Sequence, residues 1–168
     1  KMDAAKLVST DIDDCGCSTA GVETLKPVRG SKEFEELRLA TEKSAKTPKA
    51  FMLTIGSLSM RLARAQFSGN FFACAGYEII DNLGFDSVEE GVKAALEANA
   101  DLVVLCSSDD EYTEFAPAAY ELLKDRAILV VAGAPANMDE LKAKGIDHFI
   151  SVKSNVLETL LGFNNKLI

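Results

Sequence analysis

Residues 102–106, which read Leu-Val-Val-Leu-Cys, decide the fold of this 168-residue chain. Five apolar residues in succession, without an alternating polar face, are typical of a strand that helices cover on both sides of a parallel sheet. Similar short apolar runs recur on either side of this one, at residues 50–55, 77–80, 127–132 and 149–152. The sequence therefore predicts five strands.

Amphipathic segments separate these strands and predict helices between them. The apolar stripe of the first helix steps at three and four residues and consists of Met60, Ala63, Phe67, Phe71 and Cys74. A glycine at position 76 can end this helix. Because Met60 completes the stripe, its truncation to alanine is expected to cost the roughly 2 to 5 kcal/mol typical of a core site, and its replacement by leucine under about 1.5 kcal/mol.

Further helices are predicted after the second, third, fourth and fifth strands. Ser87 and Glu90 have the spacing of a capping box ahead of the second helix. The later helices are marked by an apolar stripe at Phe115, Ala119, Leu122 and Leu123, by Asn137 and Gly145 at the ends of a short helix, and by Ser154 and Gly162 at the ends of the last. This alternation predicts a doubly wound α/β domain with a five-stranded parallel sheet in flavodoxin-like order.

The first 49 residues have a different character. Glycines, prolines and the Cys15-Gly16-Cys17 triplet interrupt the chain before Ser31, and little periodicity is present there. Ser31 can cap a helix whose apolar positions include Leu37, and residues 46–49 are typical of a linker. We therefore divide the chain into an N-terminal extension, 1–49, and a domain, 50–168. A chain that opens on Lys1 is expected to be a fragment.

Composition and charge limit the classes of function. Apolar residues make up 48% of the chain and the net charge is −8, which is globular composition with repulsion toward a phosphate backbone. Because of this charge we expect no nucleic-acid partner, and we also expect no membrane association. Because four cysteines are few and two lie in apolar segments, we expect a cytoplasmic location. Cys15 and Cys17 have the spacing of half a metal site, but a second ligand pair is missing. No metal is expected.

Ligands of such sheets bind beyond the carboxyl ends of the strands, so three loops matter. The first, residues 56–63, contains no acid and no histidine, and lacks a glycine-rich phosphate motif. Its Ser57 or Ser59 is interpreted as a helix cap. An anion held at the helix N-terminus beside Arg61 and Arg64 is the alternative.

The second loop, residues 107–111, is the most acidic place at this edge, with Asp109, Asp110 and Glu111 after two serines. These acids favour a solvated helix start, with a magnesium site as the alternative. The third loop, residues 133–136, offers only backbone groups. The sole histidine, His148, lies beside a predicted strand start, has no serine or cysteine partner at short range, and is expected to be a surface or loop residue without catalytic function.

From about Phe51 to Leu161 the sequence resembles the C-terminal cobalamin-binding domain of methylmalonyl-CoA mutases, and most closely that of the small subunit of the two-subunit bacterial enzymes. The segments that carry this resemblance are residues 49–56 (KAFMLTIG), 61–75 (RLARAQFSGNFFACA), 88–91, 100–104 and 132–133. Residues 38–49 resemble the family's linker from a preceding barrel domain.

The resemblance also identifies positions where this chain departs from the family's cobalamin-binding pattern. The family's Asp-x-His-x-x-Gly motif after the first strand supplies an orienting carboxylate, the histidine that ligates cobalt from below and a glycine; here those positions are, in the same order, Leu58, Met60 and Ala63. Met60 can offer only a thioether, which we interpret as packing. The family's Ser-x-Leu falls at Ser107 or Ser108, with Asp109 or Asp110 in place of leucine, and its Gly-Gly pair is Gly133-Ala134.

These departures imply a degenerate cobalamin-binding-like domain without cofactor, catalytic or metal-binding residues. The resemblance implies a non-catalytic subunit in a heterodimer with the large, catalytic mutase subunit, whose adenosylcobalamin serves the interconversion of methylmalonyl-CoA and succinyl-CoA. The isolated chain is expected to be inactive. A free-standing cobalamin or small-molecule carrier domain is the alternative. A phosphorylated receiver domain ranks last, because Ser107 and Gly56 occupy positions where acids are needed.

Overall fold

A computed structural model of the chain describes residues 29–168, in which six helices surround one five-stranded parallel sheet. The strands are β1 (Lys49–Thr54), β2 (Glu78–Ile80), β3 (Leu102–Cys106), β4 (Ile128–Ala132) and β5 (His148–Ile150). The helices are α1 (Lys32–Lys43), α2 (Leu58–Ala73), α3 (Val88–Glu97), α4 (Tyr112–Leu123), α5 (Met138–Ala143) and α6 (Val156–Leu167). The Cys15 and Cys17 pair and most of the predicted extension lie outside the described residues.

The strand order is β2-β1-β3-β4-β5, and every adjacent pair is parallel. This is the flavodoxin-like order, so the predicted fold class is confirmed. Met52 of β1 lies opposite Val104 of β3 at the centre of the sheet. The chain leaves β1 toward one edge and enters β3 on the other side. The switch point, where such folds bind ligands, therefore lies between the carboxyl ends of β1 and β3.

Helices cover both faces of the sheet, as the continuous apolar strands predict. Helices α3, α4 and α5 enclose one core, whose sheet residues include Leu53, Val103, Leu105 and Val131. Helices α1, α2 and α6 enclose the other, whose sheet residues include Met52, Val104 and Val130. All seven of these strand side chains are fully buried.

The predicted apolar stripe of α2 is wrong in its phase. Its buried residues are Ala65, Ser68, Phe71 and Phe72, whereas Met60, Ala63 and Cys74 are exposed. Phe72 decides which face turns inward, because its ring packs 5.5 Å from Phe163 and 5.9 Å from Tyr77, centroid to centroid. Met60 is 36% exposed, so it does not fill the core, and the core-sized cost expected for its truncation has lost its structural basis. A change below about 1 kcal/mol is expected at such a site.

The last helix does not end at Gly162, as the sequence predicts, but continues to Leu167. The reason is tertiary: the following residues, Phe163 and Asn164, are buried. The Asn164 carboxamide accepts a hydrogen bond from the Tyr77 hydroxyl at 2.6 Å and donates to Thr41 Oγ1 at 3.2 Å. These contacts offset the cost of one glycine inside a helix, which is only about 1 kcal/mol.

Helix α1 belongs to the predicted extension, yet it packs against α6. Leu37 is 2% exposed and lies in the same core as Leu160 and Phe163. Thr41, one turn further along α1, is also buried. The division of the chain at 49/50 stays a prediction, while the packed unit of the structure includes α1.

The helix starts follow the predictions in part. Ser87 caps α3, since its hydroxyl accepts a hydrogen bond from the Glu90 amide at 3.2 Å. Helix α6 is capped by Asn155 and not by Ser154, because the Asn155 side chain accepts from the Glu158 amide. The side-chain nitrogen of Asn137 donates instead to Thr113 Oγ1, and α5 has no side-chain cap at this position. Ser31 likewise precedes α1 without a side-chain cap.

Candidate functional site

The candidate site is the crevice between the loops that follow β1 and β3, at the switch point of the sheet. A side chain of the protein itself occupies it. Glu111, the residue before α4, extends its carboxylate back toward β3 and over Gly56. Gly56 has φ +78°, and a β-carbon there would lie 2.6 Å from the Glu111 carboxylate carbon. Glycine is favoured at this turn, because a residue with a side chain is strained at this positive φ and would displace the Glu111 carboxylate.

Three donors hold the Glu111 carboxylate. The Ser107 hydroxyl donates at 2.5 Å, the Ser108 hydroxyl at 2.6 Å and the Ser108 amide at 3.1 Å. The serine hydroxyls, and to a smaller extent the backbone amides of Ser108 and Ser57, lower the pKa of Glu111 to about 2 by stabilising its ionised form. Glu111 is therefore neither a free solvated acid nor a vacant metal ligand, and both interpretations of the sequence miss its role.

Substituting Glu111→Gln is expected to lower the free energy of unfolding by about 1 to 2 kcal/mol near pH 6, because charged hydrogen bonds are lost and solvent partly screens the group. Since the folded-state pKa is depressed, this contribution is complete above the ordinary pKa of 4.5 and disappears as the pH falls toward about 2. Urea melts of both proteins between pH 6 and pH 2.5 should show the difference shrinking. An undiminished difference at low pH would contradict this, and Glu114→Gln is the exposed control on the same helix.

Tyr112 fills the space behind the Glu111 carboxylate, beneath the loop after β4. Its side chain is fully buried, and its hydroxyl donates to the Ala132 carbonyl at 2.7 Å while accepting from the Ser107 amide at 3.1 Å. Burial raises the pKa of this hydroxyl far above its ordinary value. A β-carbon at Gly133 would lie 3.0 Å from the Tyr112 ring. The loops after β3 and β4 are thus joined through one buried tyrosine.

Two arginines of α2 flank the crevice, but neither is free to bind an anion. Arg64 Nη2 forms an ion pair with Asp109 Oδ1 at 2.9 Å. The Arg61 guanidinium donates to the carbonyls of Leu83 at 3.2 Å and Gly56 at 3.4 Å. The anion site that the sequence allows beside these arginines is therefore not supported by their contacts.

The three positions that correspond to the cobalt-ligand motif are exposed and take no part in the contacts around Glu111. Leu58 is 61% exposed, and Met60 and Ala63 are also exposed on the first turns of α2. Met60 and Ala63 line a shallow groove of about 420 Å³ together with Ala134. Ser107, Ser108 and Gly133, by contrast, lie together around Glu111 and Tyr112. The structure therefore divides the predicted positions between an exposed helix face and a filled crevice.

His148 lies far from this site in the architecture of the sheet. It is the first residue of β5, is half-buried, and borders a cleft with Asp101 and Ile128 at the amino-terminal edge. Burial, and then the Lys166 ammonium 3.1 Å away, lower the pKa of its imidazole. Because this is the chain's sole histidine, no imidazole of this chain stands at the carboxyl edge.

Residues 29–168 also bear on the expectations about membranes and metal ions. No helix in this part of the chain is long and apolar enough to cross a membrane. Within the same residues, no group of three or more histidine, cysteine, aspartate or glutamate side chains is arranged to hold a metal ion.

Comparison with known proteins finds two related sequences. The chain is 68% identical over 153 residues to the methylmalonyl-CoA mutase small subunit of Porphyromonas gingivalis, a match that covers 91% of this chain and 25% of that protein. It is 31% identical over 144 residues to the methylmalonyl-CoA mutase small subunit of Streptomyces virginiae, covering 81% of this chain and 23% of that protein. No protein-family model matches. The chain thus spans about a quarter of the length of the curated relatives it matches.

Proposed function

We propose that the chain is a non-catalytic, structural part of a methylmalonyl-CoA mutase small subunit, because it is 68% and 31% identical to two such subunits over the quarter of their length that it spans. In this proposal the large subunit carries adenosylcobalamin and interconverts methylmalonyl-CoA and succinyl-CoA. The small subunit contributes neither cofactor nor catalytic side chains through this domain. The complex is a cytoplasmic heterodimer.

The observation that carries the proposal is the occupied crevice. In the cobalamin-binding chains that this sequence resembles, an acceptor carboxylate after β1 orients an imidazole that ligates cobalt at the carboxyl edge. In this chain Leu58 and Met60 stand at those positions, the sole histidine is at the other edge, and the Glu111 carboxylate fills the switch point. The residues present do not fit cobalamin, so we assign this chain no step in the reaction.

Exposed apolar side chains support a role in assembly. Leu58, Leu62, Leu83 and Val152 are each at least 50% exposed, and all four lie on α2 or in loops beyond the carboxyl ends of β2 and β5. Leu58 and Leu62 lie one turn apart on the same face of α2, and an exposed apolar patch is typical of a surface that other protein covers. This edge is therefore a reasonable place for contacts within the assembled enzyme.

Co-purification of the full-length small subunit with the large subunit tests the proposal. We expect the tagged small subunit, expressed with the large subunit, to elute as a one-to-one complex whose cobalamin remains with the large subunit after the two are separated. The small subunit alone should show no mutase turnover with added adenosylcobalamin. A small subunit that elutes alone and retains cobalamin would overturn the proposal and favour the carrier-domain alternative.

A further inference from the structure

His148 and Lys166 meet at the amino-terminal edge of the sheet, away from the crevice. Lys166 Nζ lies 3.1 Å from His148 Nε2, a distance at which the ammonium donates a hydrogen bond to the neutral imidazole. His148 is the first residue of β5, and Lys166 lies in the last turn of α6. This contact therefore ties the end of the last helix to the start of the last strand.

The two side chains differ in how firmly they are held. The half-buried imidazole packs against the Phe163 ring, 5.3 Å away between centroids, and Phe163 packs in turn 5.5 Å from Phe72 in the core. Lys166, by contrast, is exposed. When the contact breaks, the imidazole therefore stays in place and the lysine side chain moves into water.

Other charged groups surround the imidazole in the cleft that it borders. They are Asp147 next to it in the sequence, Asp101 just before β3, and Asp125 and Arg126 after α4. Asp101 forms a salt bridge with Lys46, and Arg126 donates to backbone carbonyls of α4. Asp147 favours the protonated imidazole, but burial, and then the neighbouring ammonium, have larger opposing effects and keep the pKa of His148 below its ordinary value of 6.5.

We propose that His148 and Lys166 form a pH-sensitive latch on the last turn of α6. This goes beyond the proposed function and does not depend on it. When the imidazole takes up a proton, both of its nitrogens become donors, and the hydrogen bond is replaced by repulsion between two cations. Because the pKa of the latched imidazole is depressed, the latch is unaffected above about pH 6.5 and is weakened as the pH falls below that value.

Opening of the latch is expected to reach α1. Asn164, two residues before Lys166, is buried, and its side-chain nitrogen donates to Thr41 Oγ1 of α1 at 3.2 Å. Leu167, one residue after Lys166, packs against the core that α1, α2 and α6 enclose. Protonation at the edge of the sheet therefore loosens the contact between α6 and α1.

The test uses the whole chain and two measurements by nuclear magnetic resonance between pH 7.5 and pH 5. One is the titration of the His148 imidazole, and the other is the protection of the backbone amides of residues 164–167 from hydrogen exchange, corrected for the intrinsic effect of pH. Lys166→Gln removes the cation from an exposed position, and His148→Gln removes the titrating group. Lys144→Gln, at another exposed lysine, is the matched control.

In the unaltered chain and in Lys144→Gln, we expect the protection of these amides to fall at least about threefold over this pH range. In Lys166→Gln and His148→Gln it should stay nearly constant, and the pKa of His148 should be higher in Lys166→Gln than in the unaltered chain. The same pH dependence in all four proteins would overturn the inference. An unchanged His148 titration in Lys166→Gln would overturn it as well.

Discussion

Replacing Tyr112 by alanine is expected to lower the free energy of unfolding by roughly 3 to 5 kcal/mol, as for other large aromatic side chains removed from a core. The ring is fully buried between α4 and the carboxyl ends of β3 and β4. Its hydroxyl also joins the Ser107 amide and the Ala132 carbonyl. Such a loss is a large fraction of the roughly 5 to 15 kcal/mol that stabilises an ordinary domain.

Two further variants separate the ring from its hydroxyl. Tyr112→Phe keeps the ring but leaves a buried amide and a buried carbonyl without their partner, so about 1 to 3 kcal/mol should be lost. Tyr120→Phe, a half-buried tyrosine on the same helix, is the control and should change stability by less than about 0.5 kcal/mol. Urea melts measure all three. A loss below about 1 kcal/mol for Tyr112→Ala would show that the crevice is not closed by this side chain.

Removal of α1 should have an effect of similar size. A chain that begins at Thr47 is expected to be less stable than one that begins at Arg29 by at least about 3 kcal/mol, because the burial of Leu37 is lost and the apolar surface that α1 covers is exposed to water. Leu37 packs in the same core as Leu160 and Phe163, and the Asn164 side chain also loses its hydrogen bonds to the Leu37 carbonyl and Thr41 Oγ1.

Leu39→Ala in the longer chain is the control for this truncation, because Leu39 lies on the same helix but is 43% exposed. It should change the urea midpoint only slightly. Equal midpoints for the chains beginning at Arg29 and Thr47 would mean that α1 adds nothing to stability, and that the folding unit begins near residue 50 as the sequence predicts.

The sheet could be predicted from the sequence because its signal is local and strong. Strands such as Leu102–Cys106 are apolar throughout, and such a run of consecutive apolar residues indicates a strand that is buried on both faces of the sheet. The phase of α2 could not be predicted in this way. Phe71 belongs both to the predicted stripe and to the observed buried face. Alanines occur on the exposed face (Ala63) as well as on the buried face (Ala65), so they do not distinguish the two. The packing of Phe72 against Tyr77 and Phe163 determines which face of α2 is buried. This is a tertiary contact, which the local sequence pattern does not show.

The candidate site shows the same limit. The positions of Ser107, Ser108 and Gly133 at the carboxyl edge followed from the strand ends alone, because parallel strands end at one edge. The occupation of the crevice by Glu111 did not, since it depends on how closely the loop after β3 approaches Gly56. The signals in the sequence were a lone glycine shortly after β1, Gly56, and an acid, Glu111, in the loop that begins with two serines.

A spectral titration of the chain with hydroxocobalamin tests the central claim most directly, because an incoming protein ligand changes the absorption of the corrin when it displaces the axial group. Leu58 and Met60 stand where the orienting acid and the cobalt ligand would be needed, and His148 is remote from them. We predict an unchanged spectrum and no retention of cobalamin on dialysis. Micromolar binding accompanied by displacement of the axial ligand would contradict the account.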